Sequence, residues 1–219
     1  MCYDSYASLK SLTFGVLGSA LLYNTIPELA IFNLYVFLIQ FYDYIFWINP
    51  SKNDINFYFT KIAMISVLLQ PIIWALCIIY IGKKEIYFIE KVLLVIYLFI
   101  AISFIIYHWN DINYTLVNEI SYPGLYWEWT SHEKLGRNYW GFFYILTISL
   151  LTYNHVIYPY NIGFAILFIG FFIIAYDNYY RTSSAGRMWC KTMPYAYFIS
   201  GIFIFIYSQI KNKKSIKIL

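Results

Sequence analysis

Three residues in the segment QFYDYIFW have the types and the spacing of a polar site inside a membrane. Gln40, Asp43 and Trp47 lie at positions i, i+3 and i+7, which places them on one stripe of a helix. A carboxylate in an apolar helix is costly unless it faces a partner or a water-filled cavity. Asp43 therefore either lines a binding site or lies close enough to the helix end to reach interfacial water.

A second polar residue, Gln70, stands beside Pro71 in the apolar segment LLQPIIW. Proline lacks a backbone donor and frees a carbonyl one turn earlier, so a kink is expected there. Gln70 either satisfies that carbonyl or lines a cavity together with Asp43.

Two cations, Arg187 and Lys191, lie one helical turn apart at the start of the last apolar segment, with Trp189 between them. Like charges on one helical face need acids, carbonyls or headgroup phosphates nearby. Asp43 and Glu128 are the candidate acids on the same predicted side. The cluster is either a salt-bridged structural rim or a binding site for an anionic headgroup or substrate.

A polar segment that contains YHWND and LYWEWTSHEK separates two of the apolar runs. Its tryptophans, Trp109, Trp127 and Trp129, are typical of an aromatic belt at the headgroup level. The alternative is that Trp127 and Glu128 help to form the binding rim. The two histidines of this segment lack the HxxxH or HExxH spacing of a metal site. The sequence identifies no catalytic residue, no metal ligand set and no cofactor.

The composition of the chain is that of a membrane protein. Of the 219 residues, 61% are hydrophobic and only 12% are charged, against about 25% charged residues in soluble domains. The net charge of +4 comes largely from the lysines of the tail 211–219. This tail is expected to meet anionic lipid, at about 1 kcal/mol per lysine, and nucleic acid is not an expected partner.

Apolar runs of about 20 residues, the length that crosses a bilayer, recur about seven times. We predict spans at 9–23, 28–48, 59–82, 87–107, 139–157, 160–176 and 188–208, with a Trp-rich loop over 108–138. The expected fold is all-α, one transmembrane bundle over residues 1–219. Small residues on one side of the first span predict close approach by another helix; they are Ser11, Thr13, Gly15, Gly18 and Ser19.

The lysines also predict an orientation. An odd number of spans puts the termini on opposite sides, and Lys83 and Lys84 share the side of the basic tail. The positive-inside rule favours a cytoplasmic C-terminus and an external N-terminus. The first residues lack the features of a signal peptide, so the mature chain is expected to begin at Met1 or Cys2.

Four short motifs, MCYDSYAS, QFYDYIFW, LLQPIIW and GRMWC, occur in this order over nearly the whole chain. They resemble the MCFSxxxS opening, the second-span Gln, acid and Trp, the third-span Gln-Pro and the last-span SxWC element of an uncharacterised family of multi-spanning membrane proteins of bacteria and large DNA viruses. The matched positions are Cys2, Ser8, Gln40, Asp43, Gln70, Pro71, Trp189 and Cys190. The chain departs from the family at Asp4 (usually Ser), Asp43 (Glu in bacterial members) and Lys191 (usually aromatic). The resemblance implies the architecture and these positions, without a chemistry.

The resemblance also implies a relation between Cys2 and Cys190. In a seven-span bundle the N-terminal segment and the start of the last span share a side, so we expect these two residues to be close. A disulfide or a shared thiol site is a further expectation. Two separate free cysteines that behave as small buried hydrophobes are the alternative. Cys77 has no counterpart in the family motifs.

Three functions are consistent with the sequence. The preferred one is a transport or small-ligand or lipid-binding bundle with a polar intramembrane site. The second is a membrane-embedded lipid hydrolase, because QFYDYIFW resembles the Gln, Asp and Trp arrangement of ceramidase-like seven-span enzymes; those enzymes hold a metal with several histidines, and this chain has 3. The third is a structural membrane component of a virion or organelle, whose interior would be packed solid.

Overall fold

The computed structural model describes residues 4–118, 124–126, 140–158, 160–164, 166, 169–170, 173 and 185–216. Its helices are α1 (Ser5–Tyr23), α2 (Pro27–Ile48), α3 (Asp54–Leu76, continued by a π-helical turn Cys77–Ile81), α4 (Phe88–His108), α5 (Trp140–His155) and α6 (Ala185–Ile216). Residues 160–164, 166, 169–170 and 173 are also helical. The helical fold is as predicted. A short antiparallel pair in the Trp-rich loop, β1 (Leu116–Asn118) with β2 (Gly124–Tyr126), adds to it.

Three helical segments of the described chain are long and apolar enough to cross a membrane. They are Pro27–Ile48, Asp54–Ile81 and Phe88–His108, with 22, 28 and 21 residues. A bilayer requires about 20 residues of helix. These helices correspond to the predicted second, third and fourth spans and indicate a membrane-embedded protein.

The polar residues before the apolar runs set where the helices begin. The Asp4 side chain caps α1 by accepting from the Ala7 N–H at 2.6 Å, and the Asn53 side chain caps α3 by accepting from the Asn56 N–H at 2.9 Å. Such caps satisfy backbone donors that the first helical turn leaves unpaired. Both helices therefore begin several residues before the apolar runs that predicted them.

The first and last helices pack side by side through Gly18 and Gly201, so the close approach expected for the first span is confirmed there, whereas Thr13 of the predicted small side is exposed. A Cβ built on Gly18 would lie 2.9 Å from the Phe198 nitrogen, and one on Gly201 would lie 3.0 Å from the Gly18 oxygen. The Phe14 ring lies 4.9 Å from that of Tyr195. Because residue numbers increase together on both helices, α1 and α6 run in the same direction.

Helix α3 occupies the centre of the α2, α4 and α5 group, and tyrosine hydroxyls bind its backbone near Pro71. Tyr35 of α2 donates to the Ser66 carbonyl at 3.1 Å, and Tyr97 of α4 donates to the Leu68 carbonyl at 2.7 Å. Proline prevents the normal ladder in this turn. The two hydroxyls thus tie neighbouring helices to α3 in the turn before Pro71.

Candidate functional site

Three polar side chains lie on one buried stripe of α2. Asp43 and Asn33 are both 0% exposed, and Gln40 is buried between them along the helix. Asp43 and Gln40 each interact with other residues of the protein. Trp47, at the end of the same stripe, is partly buried against the core. Asn33, seven residues before Gln40, was missed at the sequence level, although the i, i+7 spacing places it on the same face.

At the Asn33 end of the stripe, α2 packs against α1 and α6. Phe37, four residues after Asn33 on this face, contacts the position of Gly15 in α1. Its ring also packs edge-on against Tyr197 of α6, with the centroids 5.6 Å apart. Phe37, one turn from Asn33, therefore lies between the first and last helices of the chain.

The amide of Asn33 is the unusual feature of this stripe. Neither its nitrogen nor its oxygen makes a hydrogen bond within the described structure. More than about 90% of buried polar groups in proteins are hydrogen-bonded. An unpaired buried donor or acceptor costs about 1–3 kcal/mol. A polar ligand group or water that reached Asn33 would recover this free energy.

The helix register relates the stripe to the cations of α6. Because α1 and α6 are parallel and α2 returns antiparallel to α1, α2 and α6 run in opposite directions. Phe37 of α2 packs against Tyr197 of α6. Asp43 lies six residues after Phe37 in α2, and Lys191 lies six residues before Tyr197 in α6. These two positions are therefore level with each other. The contact of the acid with the cations of α6 stays a prediction.

Several predicted site residues lie outside the described side chains. Trp127, Glu128 and Cys2 fall outside the described residues. Arg187, Trp189, Cys190 and Lys191 belong to the first turns of α6, where only the backbone is described. The contact of Phe14 with Tyr195 puts Cys190 level with about residue 9 of α1. The proximity of Cys2 and Cys190 stays a prediction.

Gln70 belongs to a second polar group, between α3 and α5. Its Oε1 accepts a hydrogen bond from the Tyr144 hydroxyl. One turn along, the Trp74 Nε1–H donates to Thr152 Oγ1 at 3.1 Å. Both contacts are buried, and residue numbers again increase together, so α3 and α5 are parallel. This group holds the two helices in register.

A buried charged cluster at one end of the bundle was missed at the sequence level. The Lys84 ammonium lies 2.6 Å from a carboxylate oxygen of Glu28 and donates to the His155 carbonyl at 2.6 Å. The His155 Nε2 lies 2.8 Å from Glu90 Oε2. Glu28, Glu90 and His155 are all buried. The cluster joins α2, α4, α5 and the turn after α3.

At the opposite end, α3 holds the start of the Trp-rich loop. The buried Lys61 ammonium donates to the carbonyls of Trp109 and Ile112. The Asn56 side chain donates to the Thr115 carbonyl at 2.8 Å and accepts from the Thr115 N–H at 2.9 Å. An amide side chain that pairs with both backbone groups of one residue fixes that residue closely. The start of the loop is therefore fixed against α3.

Within the described residues, no group of three or more His, Cys, Asp or Glu is arranged to hold a metal ion. Comparison of the chain with protein-family models, with curated proteins and with solved structures finds no match. Function is therefore inferred from the geometry of the polar groups.

Proposed function

We propose that this protein is a seven-span membrane bundle that binds or transports a small polar ligand at the α2 stripe. The unpaired, fully buried amide of Asn33 carries the proposal. An intramembrane site of this kind is usually formed where polar groups converge inside a helix bundle. The stripe offers a donor and an acceptor at Asn33 and a carboxylate at Asp43.

The helix directions support the seven-span architecture. Helices α1, α3, α5 and α6 share one direction, and α2 and α4 run the opposite way, as consecutive crossings require. The helical residues between 160 and 173 correspond to the predicted sixth span. With seven crossings, the lysine-rich tail and the Lys83–Lys84 turn lie together on the cytoplasmic side, and the N-terminus lies outside.

The charges at the stripe define the class of ligand. Asp43 accepts hydrogen bonds from an amino group, and the cationic positions 187 and 191 of α6 suit a carboxylate or phosphate. A small zwitterion, free or as part of a lipid headgroup, combines both features. Asn33, deeper along the same face, would bind an amide or hydroxyl of the same ligand.

The two other functions remain proposals with different signatures. A lipid hydrolase of the ceramidase-like kind would hold a metal with several histidines, and this chain has 3. A structural membrane component would keep the interior between α1, α2 and α6 dry. Access of water to the α2 stripe separates the preferred function from the structural one.

Cysteine labelling in native membranes tests the proposal. In a background where the three cysteines are replaced by alanine, Asn33→Cys and Gln40→Cys are compared with Leu34→Cys and Leu38→Cys, whose parent leucines are exposed on the surface of the bundle. A charged methanethiosulfonate reacts with ionised, wet thiols. We expect the cysteines at positions 33 and 40 to react with the reagent roughly tenfold faster than those at 34 and 38, because only thiols in contact with water ionise. Equal, slow reaction at all four positions would contradict the proposal and support the structural alternative.

A further inference from the structure

A groove of about 450 Å³ lies between the helical residues 160–164 and α6. Ser200, Phe203, Ile204 and Tyr207 form the α6 wall, and Tyr160 and Gly163 lie on the other wall. The rings of Tyr160 and Tyr207 meet edge-on, with centroids 6.4 Å apart. The volume falls within the range of about 300–1,000 Å³ that is usual for ligand pockets.

The α6 wall follows the period of a helix and continues into positive charge. Its members lie at i, i+3, i+4 and i+7, which is one face of a helix. Helix α6 extends to Ile216, and the next positions on this face, i+11 and i+14, are Lys211 and Lys214. Lys213 lies on a different face. The same stripe therefore changes from apolar to basic just beyond Tyr207.

The groove lies toward the end of the bundle that carries other cations. Tyr160 follows α5 by five residues, and α5 ends at His155 beside Lys84. Lys83 and Lys91 are exposed at the same end. Tyrosine rings are enriched where hydrocarbon meets headgroups, and clusters of lysine next to a span attract anionic lipid.

We infer that this groove is a binding site for one anionic phospholipid. An acyl chain lies between Phe203, Ile204 and the 160–164 segment, and the phosphate lies at the level of Lys211 and Lys214. The two tyrosines mark the boundary between chain and headgroup. The site is distinct from the α2 stripe, so it stands whether or not that stripe binds a small ligand.

Native mass spectrometry of the full chain in mild detergent tests headgroup selection. Phosphatidylglycerol and phosphatidylcholine with identical acyl chains are added separately, and we expect tighter retention of phosphatidylglycerol. Lys211→Gln should weaken phosphatidylglycerol binding about fivefold, the effect of about one lysine near a membrane surface. Lys213→Gln, on the other face, should change it less than about twofold. Equal retention of the two lipids, or equal effects of the two substitutions, would overturn the inference.

A second pair of variants tests the groove itself. Within the described residues, a Cβ built on Gly163 or on Gly170 meets no atom within 4 Å, so both positions have room for a larger side chain. Gly163→Leu fills the groove and should lower phosphatidylglycerol binding by roughly tenfold or more, the effect of removing buried chain contacts. Gly170→Leu, which does not line the groove, should bind as the wild type does. Circular dichroism and a monodisperse elution profile confirm folding, and wild-type binding by a folded Gly163→Leu protein would refute the site.

Discussion

Glu90→Ala should destabilise the bundle by removing the centre of its buried charged cluster. The Glu90 carboxylate is 1% exposed. It accepts hydrogen bonds from the Tyr87 N–H at 2.8 Å and from the Asn154 side chain at 2.9 Å, and it lies 2.8 Å from the His155 Nε2. Alanine at position 90 leaves all three groups without this partner.

The size of the effect depends on whether each former partner of Glu90 finds another hydrogen-bond partner. Loss of the cap at the start of α4 costs about 1 kcal/mol. The Asn154 amide is exposed and pairs with water instead. The His155 ring is buried, and an unpaired buried nitrogen costs about 1–3 kcal/mol. The free energy of unfolding should therefore fall by about 2–4 kcal/mol.

Unfolding by sodium dodecyl sulfate in mixed micelles, followed by circular dichroism, measures this change. Glu85→Ala is the matched control, because Glu85 is an exposed acid in the connection just before α4, and its effect should stay within about 0.5 kcal/mol. The double variant Glu90→Ala/His155→Ala should lose less unfolding free energy than the sum of the losses of the two single variants. Each single variant already removes the same contact between Glu90 and His155. Equal stability of the Glu90→Ala and Glu85→Ala proteins would refute the assignment of this cluster as a structural tie.

Three further outcomes follow from the fold. Gly18→Val should lower the free energy of unfolding by about 1–3 kcal/mol in the same titration, because its side chain meets the backbone of α6. Gly170→Val, whose Cβ meets no atom of the described residues within 4 Å, should not lower it, and a similar loss in both variants would contradict the packing of α1 on α6. Asn56→Ala should speed hydrogen exchange of the Thr115 amide by roughly tenfold or more, since that amide loses its acceptor, and an unchanged exchange rate would exclude this contact. A reporter that is active only in the cytoplasm should give signal when fused after Leu219, and a silent but well expressed fusion would reverse the proposed orientation.

The membrane helices could be predicted because their signal is local. Apolar runs at 28–48 and 87–107 match Pro27–Ile48 and Phe88–His108 within a residue. The third helix begins five residues before its prediction, because its first turns carry polar side chains that contact the loop after α4. The last helix continues past its apolar part to Ile216. Hydropathy predicts which part of a helix lies in the hydrocarbon layer of the membrane. Capping residues and tertiary contacts determine where the helix begins and ends.

The residues of the candidate site could be predicted only where their spacing along one helix places them on the same face. Gln40 and Asp43 share a stripe by sequence alone. The cluster of Glu28, Lys84 and His155 depends on contacts between residues more than 50 positions apart, and no pattern along the chain encodes such a pairing. The spacing of Asn33 from Gln40 predicts that both lie on one face of the helix. That the Asn33 amide makes no hydrogen bond can be seen only in the folded structure.

The free energy of unfolding of Asn33→Val tests the central claim most directly. Valine is closer to asparagine in volume than leucine is and has no polar atoms, so it removes the unpaired amide with little change in packing. If Asn33 is kept for ligand binding at the expense of stability, the ligand-free variant should be more stable than the wild type by about 1–3 kcal/mol. A loss of stability of the same size would show that the amide hydrogen-bonds within the fold, and it would contradict the assignment of the α2 stripe as a binding site.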